Sequence, residues 1–219
     1  MSLQKIIDDF LLEKQKEKEK RKGSGKFKPY LLGRCFRAQT WAQRDVPVSE
    51  GFDARTLKIF QCGTIFHEFV QEFIEDTDKE VMVEDDMFLG YADVVGDDIV
   101  YDIKSQHSRA FWYMQKSGYN VMEQKENNWL QLALYAKLLE KPKMCLVFIS
   151  KDDLTIAEYL QMYSVWKGKL EEEIKTLKMY KDIEHLPPAE PRAYKNKDGI
   201  SSECKYCSWR TKCKDIEGL

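Results

Sequence analysis

The sequence predicts an α/β protein with a mixed sheet flanked by helices, and three observations carry that reading. The apolar period is helical over 56–76, alternates residue by residue over 87–104, and is helical again over 121–140. Gly96-Asp97-Asp98 interrupts the alternating stretch with residues that suit a hairpin turn. The apolar run 143–150 then follows the second helical stretch as a further strand. A helix, a hairpin, a helix and another strand make an α/β core.

Length and composition set the frame. A chain of 219 residues with 43% hydrophobic and 12% aromatic residues buries a sizeable core, and one domain with decorations is the natural division. No apolar run approaches the length needed to span a bilayer, and Lys-rich sequence follows the first short amphipathic stretch where a secretory signal would be apolar. The expectation is an intracellular, cytoplasmic protein. The formal net charge of −2 hides a split between a lysine-rich start and the strongly acidic stretch 72–86. A protein that needs carboxylates at a metal and a basic track elsewhere carries such a balance, as does one with simple solvated helix faces.

Taken in order, residues 3–22 read as a helix with Leu3, Ile6, Ile7, Phe10 and Leu11 on one face, and Gly23-Ser24-Gly25 ends it as a flexible joint. Residues 1–28 are thus an appended charged helix and linker, and 29–219 are the main domain. Residues 29–45 are mixed and carry Cys35 between Arg34 and Arg37. In helix 56–76 the pairs Ile65/Phe66, Phe69/Val70 and Phe73/Ile74 form a wide buried stripe. Strands are expected at 87–95 and 99–104, a long helix at 121–140, strands at 143–150 and within 154–162, and a charged helix at 165–182. Pro187, Pro188 and Pro191 then break regular structure, and the Cys-rich tail reads as irregular.

Chemistry concentrates in the hairpin. Asp102 and Lys104 are two apart in a strand and share a face, and hairpin geometry brings Asp93 beside Asp102. Two carboxylates and a lysine suit a hard ion such as Mg²⁺ or Mn²⁺. Such an ion activates water and neutralises a phosphate, while Lys104 orients or deprotonates the water or stabilises developing charge. A surface hairpin holding an ion pair is the plain alternative. His67 sits at the edge of the apolar stripe of its helix, roughly 20° from Ile74 on the 3.6-residue period, as a structural or a ligating histidine. Glu68, Glu72 and Glu75 fall on the solvated side. Gln131 and Tyr135 share a helix face with Gln124 and Asn128, a polar stripe that walls a cleft or faces solvent.

Six cysteines in an intracellular chain favour metal or cluster binding over disulfides. Cys62 and Cys145 lie alone in apolar segments, as small buried hydrophobes do. Cys204, Cys207 and Cys213 are crowded together, with Cys35 far upstream. Four thiolates suit either Zn²⁺ or an iron–sulfur centre.

The ordered set Gly63-x3-His67, Gly90-x2-Asp93, Asp102-Ile103-Lys104 and Gln131-x3-Tyr135, with Cys35 and Cys204-x2-Cys207-x5-Cys213, resembles the Cas4 and RecB-type branch of the PD-(D/E)xK nucleases over about residues 30–215. The resemblance implies a restriction-endonuclease-like core in which His67, Asp93, Asp102 and the Ile103 carbonyl hold Mg²⁺ or Mn²⁺. It makes Asp93, Asp102 and Lys104 catalytic, with Gln131 and Tyr135 supporting the site. It makes Cys35, Cys204, Cys207 and Cys213 the ligands of a [4Fe–4S] cluster that joins the two ends of the chain and holds Lys205, Trp209, Arg210 and Lys212 beside a DNA channel. The activity it implies is a DNA exonuclease on single strands or ends, working in CRISPR adaptation, recombination or repair, or viral DNA processing, with a partner such as a helicase. A DNA-end-binding subunit with little or no cleavage, and a sequence-specific endonuclease on the same core, are the other readings. Asp102 stands where Glu is commoner, which shortens the reach to a metal. The Asp93–Asp102 spacing implies a tight hairpin, and helix 3–22 has no counterpart in the shared motifs.

Overall fold

The computed structural model describes residues 2–20, 22–196 and 198–217. Five strands form one sheet in the order β1-β2-β3-β4-β5: β1 (Asp78–Glu84), β2 (Leu89–Val95), β3 (Ile99–Gln106), β4 (Lys143–Ser150) and β5 (Ile156–Met162). Neighbours are antiparallel except β3 and β4, which run parallel. A parallel pair needs a crossover. It is supplied by α4 (Ser108–Met114), α5 (Val121–Gln124) and α6 (Glu126–Leu138).

Strand alternation sorts the side chains between two cores. Val100 packs with Ala92, Met144, Leu146 and Phe148 against Trp129, Leu130 and Leu134 of α6. Ile103 points the other way, with Val94, Val147 and Ile149, against Phe66, Val70 and Ile74 of α3 (Ala54–Phe73) and the turn after it. Asp102 therefore belongs to the α6 face and His67, on α3, to the opposite face. Outside α6 lies α7 (Tyr163–Asp182), where Trp166 stacks on Trp129 at 5.7 Å and 15°. No described helix is long and apolar enough to cross a membrane.

Several expectations are corrected. The acidic stretch, not read as a strand, contains β1, an edge strand with only Val83 buried. The helix expected at 121–140 is two helices, broken at Lys125, whose ammonium lies 5.5 Å over the Phe148 ring. Of the wide stripe on α3, Phe66, Val70 and Ile74 face the sheet, whereas Ile65, Phe69 and Phe73 are exposed. Cys62 is also exposed, while Cys145 is buried as expected. The first helix, α1 (Leu3–Glu19), buries only Leu11 of its apolar face. It docks instead through polar contacts: Phe52 N–H donates to Gln15 Oε1 (3.0 Å), and Lys58 pairs with Asp8 (2.7 Å). Gly23 is not a free joint. Its N–H donates to Asp45 Oδ2 at 2.8 Å, and a Cβ there would come within 2.5 Å of Asp45 Oδ1. The tail is not wholly irregular, since α8 (Arg210–Glu217) closes it.

The two ends of the chain are fastened together. Buried Glu203 accepts from the N–H groups of Cys35 (2.7 Å), Arg192 (2.7 Å) and Ala193 (2.8 Å). Trp209 packs on Trp41 of α2 (Phe36–Gln43), and its indole N–H donates to the Val46 carbonyl at 3.0 Å. Glu203→Ala leaves three backbone donors without their acceptor. At about 1–3 kcal/mol for a buried unsatisfied group, it should destabilise the chain by several kcal/mol in urea unfolding, whereas Leu3→Ala on exposed α1 should change little.

Candidate active site

The site arises where β2 and β3 stop pairing. They are in register at Val95↔Val100 and Val94↔Tyr101, so the next pair would be Asp93 with Asp102. Instead, Asp93 Oδ2 accepts the Ile103 N–H at 2.6 Å. A side-chain carboxylate has replaced a backbone acceptor, and the strands part around it. On the other flank, the Asp93 carbonyl accepts from Gln71 Nε2 of α3 at 2.9 Å.

Groups from four elements meet in this gap. His67 Nδ1 lies 3.6 Å from Asp93 Oδ2. The register of β1 against β2, Lys79↔Val94 and Val81↔Ala92, sets Glu80 opposite Asp93. Glu80 Oε1 accepts a second hydrogen bond from Gln71 Nε2 at 2.9 Å. Its backbone is left-handed, with φ of 50°, a conformation that costs a non-glycine residue about 1–3 kcal/mol. His67, Glu80 and Asp93 each bring a ligand atom within 4.8 Å of the others, close enough to hold one metal ion.

Asp102 stands beside them on β3 and is fully buried. Its Oδ1 accepts from Lys104 Nζ at 2.6 Å, and its Oδ2 is buried without a hydrogen-bond partner. A buried, unsatisfied carboxylate oxygen is costly and rare. A cation beside it would supply the missing partner, and a nitrogen–oxygen donor set suits a hard divalent ion. The residues fit the Mg²⁺ or Mn²⁺ that the sequence motifs imply.

The electrostatics point the same way. Burial raises the Asp93 carboxyl above the usual range, against the pull of Lys104 and the Ile103 N–H. Burial pushes Asp102 up to about 6, with Asp93 adding repulsion and Lys104 opposing. Burial and then Lys104 hold His67 below the ordinary imidazole value, so it is neutral and able to ligate. Burial also works against the Lys104 ammonium, but Asp102 and Asp93 outweigh it and leave its pKa raised.

Gln131 and Tyr135 of α6 are buried over the Asp102 side, and neither faces open solvent. Gln131 Nε2 donates to the Tyr135 hydroxyl at 3.4 Å. The hydroxyl is held far above its usual pKa by burial and then by Asp102, so it stays protonated. A Cβ at Gly90 would lie 2.6 Å from Pro29 Cγ and 2.9 Å from the Tyr135 oxygen, which explains glycine at this point of β2. Gly63 faces Ser105 across ordinary space.

The structure thus gathers His67, Asp93, Asp102, Ile103 and Lys104, with Gln131 and Tyr135 behind them. It adds Glu80 and Gln71, which the sequence reading passed over. Glu80 is found from sequence only if the acidic stretch is read as a strand and registered against β2. The four cysteines also come together. Cys35, Cys207 and Cys213 pack around Trp41 and Trp209, Cys204 feels Cys35 and Cys213, and Cys207 feels all three other thiols.

Compared by sequence, the chain matches no protein-family model and no curated protein. Solved structures do match. SSO0001 superposes with a TM-score of 0.60 at 21% identity, over 94% of this chain and 95% of that one. LHK-Exo, an alkaline exonuclease from Laribacter hongkongensis, superposes at 0.51 with 14% identity, over 72% of this chain and 88% of the enzyme. The same enzyme in complex with dAMP gives 0.52 at 16% identity. The fold is shared with an alkaline exonuclease.

Two outcomes follow from the site. Asp102 must shed its proton to meet a cation, so Mn²⁺ affinity should rise as pH passes from about 5 to about 7, with proton release in calorimetry. In metal-free protein the sign is reversed for folding. The folded chain takes up the Asp102 proton before the unfolded chain does, so this group's contribution to stability grows as pH falls from about 6 to about 4 and is lost as pH rises. Glu80→Gln should weaken Mn²⁺ binding on the order of tenfold while leaving the melting temperature of the metal-free chain near that of the wild type.

Proposed function

We propose that this chain is a divalent-metal-dependent deoxyribonuclease of the PD-(D/E)xK superfamily, of the Cas4 and RecB-type branch, and that it works as an exonuclease on single strands or DNA ends. The observation that carries the reading is the unpartnered, fully buried Asp102 Oδ2 beside Asp93, His67 and the Lys104 ammonium. The shared fold with LHK-Exo supports it, and the dAMP complex of that enzyme favours a deoxynucleotide substrate.

His67, Asp93, Asp102 and the Ile103 carbonyl would hold Mg²⁺ or Mn²⁺, with Glu80 on the open side. Bound there, the ion would supply an acidified water and draw charge from the scissile phosphate. Lys104 keeps its proton because two carboxylates surround it. Its role would be to orient the attacking water and stabilise negative charge on the phosphate. Asp102 fixes that ammonium through the 2.6 Å hydrogen bond. Tyr135 and Gln131 are positioning residues: they wall the α6 side and exclude bulk water from Asp102.

Cys35, Cys204, Cys207 and Cys213 would hold a [4Fe–4S] cluster. Burial and the neighbouring thiols, against a hydrogen bond from the Trp209 backbone, push the Cys207 thiol up to about 11, and burial with Cys35, Glu203 and Cys213 raises Cys204. Three thiols held protonated by burial, at Cys35, Cys204 and Cys207, suit a metal centre that would deprotonate them on binding. Arg37 donates to Cys213 Sγ at 3.6 Å, a contact that would steady a thiolate. The cluster would reinforce the fastening made by Glu203 and Trp209. Unwinding of duplex DNA would fall to a partner, such as a helicase or a CRISPR or recombination protein.

The test is Mn²⁺-dependent digestion of end-labelled linear single strands and of covalently closed circles, with wild type and Lys104→Ala. Wild type should shorten linear strands and spare circles, and Lys104→Ala should be slower by about 10²-fold or more. Cleavage of circles would favour the endonuclease reading. Binding of DNA ends without cleavage by either protein would replace the enzyme with an end-binding subunit. For the cysteines, Cys204→Ala should lose iron and stability while Cys62→Ala keeps both. Equal iron content in the two would overturn the ligand assignment.

A further inference from the structure

Arg34 carries a charge that the fold does not answer. None of the ion pairs among the described residues includes it. Its Nε is buried and has no hydrogen-bond partner. Arginine cannot shed its proton to relieve such a position, and a buried cation is costly unless paired. The side chain is nevertheless held firmly in place. Its guanidinium lies over the Tyr194 ring at 4.9 Å. Its backbone N–H donates to the Leu31 carbonyl (3.1 Å), and its own carbonyl accepts from Gln39 (3.0 Å) and Arg192 (3.1 Å).

It lies within electrostatic reach of the candidate active site. The charge of Arg34 acts on Lys104, and both cations act on the Tyr194 hydroxyl, so the three groups form one neighbourhood. Tyr194 itself has a left-handed backbone, φ 57°, which for a bulky residue costs about 1–3 kcal/mol. Beyond Tyr194 opens a cleft of about 440 Å³ whose lining mixes Arg192 and Lys195 with Glu123, Glu126, Gln124 and Asn127. Asn127 lies one helical turn before Gln131 on α6, which relates the cleft to the helix that walls the carboxylates. Lys104 is matched by Asp102, whereas Arg34 has no ion-pair partner among the described residues. A planar guanidinium with free donors beside a hydrolytic site is what a phosphate oxygen requires.

We propose that Arg34 is a substrate-binding residue, whose guanidinium, stacked on Tyr194, holds a backbone phosphate of a single DNA strand beside the scissile position. The cleft past Tyr194 then carries that strand away from the Asp102–Lys104 pair, and the exposed part of the Tyr194 ring is a surface for a base. The identity of the strand rests on the nuclease reading, whereas the anion site rests on Arg34 and Tyr194 themselves.

Binding and cleavage are read separately to keep the two ideas apart. A short labelled single-stranded oligonucleotide is titrated in EDTA, by anisotropy, at salt from 50 to 200 mM, with wild type, Arg34→Gln and Arg34→Lys. Each phosphate neutralised on a single strand contributes about 0.7 to the slope of log K against log salt. Arg34→Gln should bind about tenfold more weakly and lose about that much slope. Arg34→Lys should recover the slope with only part of the affinity, because the charge returns without the planar, stacked fork. A merely structural role for Arg34 would lower the melting temperature without changing the slope of the folded protein. Arg34→Gln binding with the affinity and slope of wild type overturns the proposal. Should that variant not fold, Arg34→Lys with unchanged affinity overturns the guanidinium assignment. Wild type that cuts in Mn²⁺ while Arg34→Gln keeps its slope sinks Arg34 alone. Wild type that binds through Arg34 but never cuts sinks the nuclease reading alone, and wild type that binds no oligonucleotide sinks both.

Discussion

A single hydrogen bond organises the centre of this molecule, that from the Ile103 N–H to Asp93 Oδ2 at 2.6 Å. The two strands that carry the site would otherwise run on as an ordinary antiparallel pair, with His67 beneath one face and Asp102 on the other. A continuous sheet would keep those groups apart. By taking the N–H that a neighbouring backbone would have taken, the Asp93 carboxylate opens a gap between the strands. Through that gap α3, β1, β2 and β3 contribute to one cluster. Gln71 steadies the arrangement by bridging the Asp93 carbonyl and Glu80.

The cluster is held in a state that a cation would relieve. Asp93 and Asp102 flank a single ammonium, with Glu80 and a neutral imidazole beside Asp93, and burial raises both aspartates above the usual carboxylate range. Such a site is a poor structural ion pair, because one buried oxygen of Asp102 gains nothing from the protein. A divalent ion there would find donors on His67, Glu80 and Asp93, and the burial that raises the aspartates would strengthen each interaction it made. Packing from the α6 side is part of this design. Gly90 is small so that Tyr135 and Pro29 can close over the strand, and that closure keeps Asp102 from water.

What the sequence made legible follows from where residues sit in the sheet. β4 lies between two strands, and its unbroken apolar run marks its limits at Lys143 and Ser150. The turn at Gly96 and the alternation around it place Asp93 and Asp102 on one hairpin, and the Gly96 N–H to Ile99 carbonyl bond at 2.9 Å closes it. Edge strands carry a weaker signal, because a charged, exposed strand has no apolar period to read. For that reason β1 was missed, and Glu80 with it. The break at Lys125 has no glycine or proline to announce it. Periodicity also overstated burial on α1 and α3, where Ile6, Phe10, Ile65 and Phe73 are apolar yet exposed. Pattern gives the face of a helix, and tertiary contact decides how much of that face is covered. The gathering of Cys35 with Cys204, Cys207 and Cys213 rests on contacts far apart in sequence, through Glu203 and Trp209, which no local period encodes.

The central claim is that the parted strands build one divalent-metal site. Crystals soaked in Mn²⁺ and recorded at an energy where manganese scatters anomalously would test it directly. The account predicts a strong anomalous peak in the gap, in contact with His67, Asp93, Asp102 and the Ile103 carbonyl, and its loss in an Asp93→Asn crystal. A gap without manganese at millimolar concentration, or a peak held only by surface carboxylates elsewhere, would contradict it.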